Sequence, residues 1–211
     1  MDAEIVGLLA RWTLYFIIYG VIGYLVEIIY CYVQTGGELK NRGFLYGPVV
    51  PIYAVGTLLI VLATNWLGWP WWANFFVVIL ICDTLEYCTS LFLEKIFHMR
   101  WWDYAKSTRW HLNGRISLRT SVGFGLGGLI IIYALHPVII NLVELLPGGI
   151  MVILAALLLG IYIMDTVLSV ITAFKVKGML GRGNIDATAP IKKFAAHYYK
   201  DAKRSKKRKK A

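Results

Sequence analysis

The sequence predicts an all-α membrane protein: a polytopic bundle of about five transmembrane helices, N-terminus outside and C-terminus in the cytoplasm. Three observations predict it. Of the 211 residues, 58% are hydrophobic and only 16% are charged, whereas a soluble domain keeps roughly a quarter of its residues charged to cover its wet surface. The surplus of apolar residues needs lipid to face. Those residues gather into stretches of about 20, the length a helix needs to cross a bilayer. The basic residues, finally, sort to one side.

The first segment runs from about Leu8 to Val33. Met1 to Ala10 is slightly acidic and has no basic region and no small-residue cleavage site, so this segment is expected to stay as a helix rather than leave as a signal peptide. The second runs from about Pro48 to Leu67 and the third from about Trp71 to Phe97. Gly68-Trp69-Pro70 between them is long enough only for a tight turn. The fourth covers about Leu118 to Ile140 and the fifth about Gly148 to Phe174, joined by a second tight turn around Leu146-Pro147-Gly148-Gly149. Residues 1–174 are thus expected to form the transmembrane domain, and 175–211 a basic cytoplasmic tail, partly disordered as charge blocks usually are.

Orientation follows from Lys and Arg. Lys40 and Arg42 sit between segments one and two, and Lys95, Arg100, Lys106, Arg109, Arg115 and Arg119 sit around the connection between three and four. Thirteen of the 22 basic residues lie from Lys175 onward, and both tight turns have none. Five spans put all these clusters inside and leave only Arg11 outside; four or six would misplace one cluster. Tryptophans agree: Trp66, Trp69, Trp71 and Trp72 crowd the outer turn, while Trp101, Trp102 and Trp110 crowd the inner loop, at the headgroup level such rings prefer. The expected location is the cell (cytoplasmic) membrane, multi-pass. The tail, ending Lys203-Arg204-Ser205-Lys206-Lys207-Arg208-Lys209-Lys210, is expected to bind anionic lipid rather than nucleic acid, because a tethered tail has lipid phosphates nearer at hand.

Four acids fall inside apolar segments: Glu27, Asp83, Glu86 and Asp165. A carboxylate at mid-membrane costs about 2.5–3.5 kcal/mol on insertion scales, so each needs a reason. Segments one, three and five run in the same direction, and each acid lies halfway along or further, so the four can share a layer from the midplane to the inner leaflet. Asp83 and Glu86 lie on one helix face. Two readings stay open. Each acid staples a neighbouring helix through Tyr, Ser, Thr or backbone, or the layer lines a polar cavity for a substrate, ion or lipid headgroup.

Two stretches at the expected inner face carry further candidates. Asn41-Arg42-Gly43-Phe44-Leu45-Tyr46-Gly47-Pro48, with Pro51-Ile52-Tyr53, packs Gly, Pro and aromatics at a membrane entry, either as a capped helix start or as the wall of a wet cavity. Trp101-Trp102-Asp103-Tyr104, followed by Asn113-Gly114-Arg115-Ile116-Ser117-Leu118, can form a polar cluster of Asp103, Asn113 and Arg115, or a tryptophan belt with snorkelling arginines. Gly123 and Gly127 form a Gly-xxx-Gly pair of the kind that lets a second helix approach. Cys31, Cys82 and Cys88 read as small buried hydrophobes, and the scattered histidines suggest no metal. The chain contains no phosphate loop, no Gly-x-Ser-x-Gly elbow and no His-Glu-x-x-His site, so no cofactor is expected.

The motif from Asn41 to Tyr53, together with Glu94-Lys95-Ile96-Phe97-His98-Met99-Arg100-Trp101-Trp102-Asp103-Tyr104 and Asn113 to Leu118, resembles the signature of the bacterial family called Putative ABC-transporter type IV permease. Order and spacing match over about residues 10–140. The resemblance implies a permease-like subunit of unestablished substrate, working with a separate ATPase, in keeping with the missing phosphate loop. Because five spans are few for such a permease, it also implies a homo-oligomer.

Two function classes, with a third behind them, then compete. As a permease-like transport subunit, the chain would bind substrate at Glu27, Asp83, Glu86 and Asp165, with Asn41, Arg42, Tyr46, Asp103, Asn113 and Arg115 at the mouth. As a lipid-headgroup-modifying enzyme, it would use Asp103 or Glu94 as general base and Arg115 to hold phosphate. As a membrane assembly partner it would have no site of its own. An enzyme is the less expected of these.

Overall fold

In a computed structural model, residues 2–34, 44–97, 99–180 and 185–186 are described, and they form a helix bundle. The helices are α1 (Asp2–Gln34), α2 (Pro51–Leu67), α3 (Trp71–Phe97), α4 (Leu118–Glu144) and α5 (Gly148–Leu180). Four are long and apolar enough to cross a membrane, and α2 is a shorter apolar helix. Only 11% of the most apolar window of α5 is buried, and no window exceeds 28%. Large side chains such as Leu80, Ile153 and Met164 therefore point outward, into what must be an apolar solvent.

The helices lie side by side in the order α5, α1, α2, α3, α4, with the middle of α4 also reaching α2. Two apolar clusters mark opposite ends. Ala10 and Leu14 of α1, Ile139 and Val143 of α4, and Met151 and Ala155 of α5 pack together at one end. Phe97, Trp101 and Ala173, flanked by Phe44 and Trp102, pack at the other. Both expected inner motifs thus sit at the same end of the bundle, away from the turn between α4 and α5.

Helix ends differ from the sequence reading for local reasons. Helix α2 starts at Pro51 rather than Pro48, because Val50 is extended and its N–H donates to the Gly20 carbonyl of α1 at 3.0 Å. Pro51 has no N–H to waste in a first turn. Helix α2 ends at Gly68, whose φ of 55° closes it in the left-handed region. Helix α4 runs on to Glu144 and contains a π turn, Ile131–Leu135. The turn precedes Pro137, which has no N–H for the carbonyl four residues back, and a π turn is one way to absorb that loss.

The close approach expected at Gly123 and Gly127 falls instead on the next glycines. A Cβ on either of that pair would meet nothing within 4 Å, whereas one on Gly125 would strike Phe75 and one on Gly128 would strike Val78, both on α3. Replacing Gly128 by Leu is expected to push α3 and α4 apart at a cost of about 1–3 kcal/mol. Gly123→Leu is expected to change stability by less than about 0.5 kcal/mol. Thermal unfolding in detergent micelles distinguishes the two; equal losses would mean that the α3–α4 contact is not where the glycines place it.

Candidate functional site

Helix α3 carries Asp83, Glu86, Tyr87, Ser90 and Glu94, a spacing that repeats every three or four residues and so draws one polar stripe down one face. The chain between α3 and α4 folds back onto that stripe. Its strands β1 (His111–Leu112) and β2 (Ile116–Ser117) pair antiparallel, with Leu112 opposite Ile116. The turn is built on Asn113 and Gly114, with φ of 52° and 71°. Asn-Gly is the pair that tolerates two successive left-handed residues. Gly114 is required for a second reason: a Cβ there would collide with the Asp103 carboxylate.

This returning segment contacts every member of the stripe. Ser121 Oγ at the start of α4 donates to Asp83 Oδ2 at 2.7 Å, and Tyr104 Oη donates to Glu86 Oε1 at 2.8 Å. Asn113 Nδ2 donates to Tyr87 Oη at 3.1 Å. Arg115 donates to Ser90 Oγ at 2.9 Å and to Glu94 Oε2 at 2.6 Å, with its guanidinium 5.6 Å from the centre of the Tyr87 ring. Arg100 completes the set: it donates to the same Glu94 oxygen at 3.0 Å and lies 3.9 Å from Asp103. Asp103 also caps the short turn Tyr104–Lys106 by accepting from the Ala105 N–H. Arg115 and Asp103 are thus linked through Glu94 and Arg100, while Asn113 bonds Tyr87 instead.

Tyr104 is the deepest probe of the segment. Burial above all, and then the Glu86 carboxylate it bonds, push its phenol well above the usual tyrosine range; Tyr30 and Tyr53 add to the shift. The phenol therefore stays protonated and remains a donor. Tyr53 in turn donates to Glu27 Oε2 at 3.1 Å, and Cys31 Sγ donates to Glu27 Oε1 at 3.5 Å. Glu86 lies within electrostatic reach of both Glu27 on α1 and Asp83 on its own helix. Two oxygens in this group, Asp83 Oδ1 and Glu86 Oε2, are buried without a hydrogen-bond partner among the described residues, and Glu86 is only 6% exposed.

Asp165 serves another part of the chain. Its Oδ1 accepts from the Tyr46 N–H at 2.9 Å and its Oδ2 from the Gly47 N–H at 2.8 Å. Tyr46 Oη donates to Thr172 Oγ1, two turns further along, at 2.8 Å. The carboxylate thus straps the segment before α2 to the middle of α5. Asn41 and Arg42 lie outside the described residues. Cys31 is buried as expected, but Cys82 is half-buried and Cys88 exposed.

Sequence reasoning missed Tyr87, Ser90, Arg100 and Ser121 as members of the site. The periodic stripe on α3 was the signal for the first two. Nothing in the sequence pointed to Arg100 rather than Lys95 or Lys106 as the partner of Glu94.

A bundle of lipid-facing helices with a polar stripe covered by a returning loop defines a multi-pass membrane protein. A family profile matches residues 14–170, and the chain belongs to that family, described as Putative ABC-transporter type IV. The match contains both motifs and reaches through most of α5, beyond the stretch that carries the resemblance. No curated protein and no solved structure matches the chain.

Proposed function

We propose that this chain is the membrane-embedded, permease-like subunit of a transport system, oriented with its N-terminus outside and the α3–α4 connection at the cytoplasmic face. Glu27, Asp83 and Glu86 form its polar core, the segment from Trp101 to Ser117 is its cap, and hydrolysis falls to a separate ATPase subunit. The observation that carries this reading is Glu86: a carboxylate 6% exposed, held on one oxygen by the cap and without a partner on the other. A staple alone would satisfy both oxygens, since a lone buried acceptor costs about 1–3 kcal/mol. Membership of a family described as transporters, and a sequence without a phosphate loop, support the division of labour.

The lipid-headgroup enzyme is less well supported. Arg115 is 7% exposed and its guanidinium is taken up by Ser90 and Glu94, so no free clamp remains for a phosphate.

Purification of the tagged full chain from its own host is expected to bring down an ATPase carrying a phosphate loop. An altered lipid profile in a deletion strain, with no ATPase recovered, would overturn the proposal in favour of the enzyme. Once a substrate is in hand, the double variant Asp83→Asn, Glu86→Gln is expected to lose transport at least about tenfold while still inserting. The amide oxygen of Gln still accepts from Tyr104, so the cap stays seated and only the charge is lost. Normal transport by that variant would remove the acidic core from the mechanism.

A further inference from the structure

The hairpin has an outer shoulder that the polar core does not use. The Leu118 N–H donates to the Trp110 carbonyl at 3.1 Å, continuing the β1–β2 pairing by one step, so that Trp110 lies opposite Leu118, with Arg109 and Arg119 their neighbours in the chain. Three apolar side chains are turned outward there: Trp110 is 74% exposed, Leu118 58% and Leu112 56%. Arg109 and Arg119 are exposed beside them, and among the described residues neither makes an ion pair. Two carboxylates near the hairpin already have arginine partners, Glu94 in Arg100 and Arg115, and Asp103 in Arg100. The shoulder also stands where α4 begins, so its height is that of the membrane surface.

We propose that this shoulder is a seat for an anionic phospholipid, with Arg109 and Arg119 on the headgroup phosphate and Trp110, Leu112 and Leu118 against the glycerol and upper acyl chains. Charge complementarity selects the occupant. Two unpaired guanidiniums offer forked donors that match phosphate oxygens, and a net negative headgroup is what two uncompensated cations favour. Tryptophan at headgroup depth keeps its ring in the apolar layer and its N–H in the wet one. The seat is fixed by a hairpin and a helix start, which sets it apart from diffuse attraction by the tail.

The test separates the shoulder from the tail. The full-length chain, with the Lys and Arg residues of 203–210 replaced by Gln, is reconstituted in phosphatidylcholine vesicles. The vesicles are doped with photoactivatable phosphatidylglycerol or, in parallel, photoactivatable phosphatidylcholine, and adducts are mapped by mass spectrometry. Phosphatidylglycerol is expected to label the peptide around Trp110 about 25-fold more than phosphatidylcholine, about fivefold for each of the two arginines. That preference is expected to fall about fivefold for each arginine replaced in Arg109→Gln and Arg119→Gln. The Lys substitutions are expected to keep most of it. Because both side chains are exposed, unfolding temperatures should not move. Equal labelling by the two lipids, or an unchanged preference in the double Gln variant, overturns the proposal.

Discussion

Replacing Arg115 by alanine is expected to unseat the cap and to destabilise the protein by about 3 kcal/mol, the lower end of the cost of stripping one partner from a buried ion pair. The guanidinium joins the hairpin to α3 at three residues. It donates to Ser90 and Glu94 on α3, lies over the Tyr87 ring, and belongs to the hairpin whose other members hold Tyr104 against Glu86. Its own carbonyl accepts from Trp102 Nε1 at 2.8 Å, so backbone and side chain fasten the segment twice. The loss stays at the lower end because the Glu94 side chain is 23% exposed and keeps Arg100 at 3.0 Å. In detergent micelles the Tm is expected to fall by roughly 5–10 °C. Arg115→Lys should lie between, because an ammonium supplies the charge but not the fork that spans Ser90 and Glu94. The sharper test is the double variant Arg115→Ala, Glu94→Gln. Removing both partners leaves no unpaired charge, so its loss should be smaller than the sum of the two single losses. Strict additivity would mean that the pair does not hold the cap.

The five helices could be read in the sequence because the physics that makes them is local. A run of apolar residues long enough to span, bounded by Gly68 or by Pro147, has few alternatives in a bilayer. The two motifs that the charge count puts on one side lie at one end of the bundle, around Phe97 and Ala173, away from the cluster around Ile139 and Met151. The stripe on α3 was also there to be seen, since its spacing is helical. The partners of the stripe were not. That Tyr104, Arg115 and Ser121 each take a particular residue on α3 depends on a hairpin whose reach is set by Asn113 and Gly114, and on α3 and α4 touching at Gly125 and Gly128 rather than at the more conspicuous Gly123 and Gly127. Asp165 shows the same limit. As an acid in an apolar run it was marked for attention, but besides Ser169 one turn on, at 3.4 Å, it holds two backbone N–H groups more than a hundred residues away, and a backbone donor leaves no trace in sequence.

Asp165 therefore carries the second large expectation. Asp165→Asn is expected to release the segment Phe44–Gly47 almost as fully as Asp165→Ala. A carboxylate presents an acceptor on each side, and here both are used: Oδ1 by Tyr46 and Oδ2 by Gly47. An amide has one acceptor; its NH2 would face one of the two N–H groups, donor against donor. Each charge-assisted bond lost costs about 1.5–3 kcal/mol, and inside a bilayer the freed N–H has no water to turn to. Asp165→Glu should not rescue fully, since an extra methylene shifts both oxygens away from a geometry that already meets Tyr46 N–H at 2.9 Å and Gly47 N–H at 2.8 Å. The readout is Leu45, which is 2% exposed beside the strap. In a background with Cys31, Cys82 and Cys88 replaced by Ala, Leu45→Cys should resist maleimide. Adding Asp165→Asn should raise its labelling rate at least about tenfold, the change expected for losing about 1.4 kcal/mol of closure. If labelling instead stays slow with Asn and rises only with Ala, one hydrogen bond suffices to hold the strap, and the paired geometry of the carboxylate is dispensable.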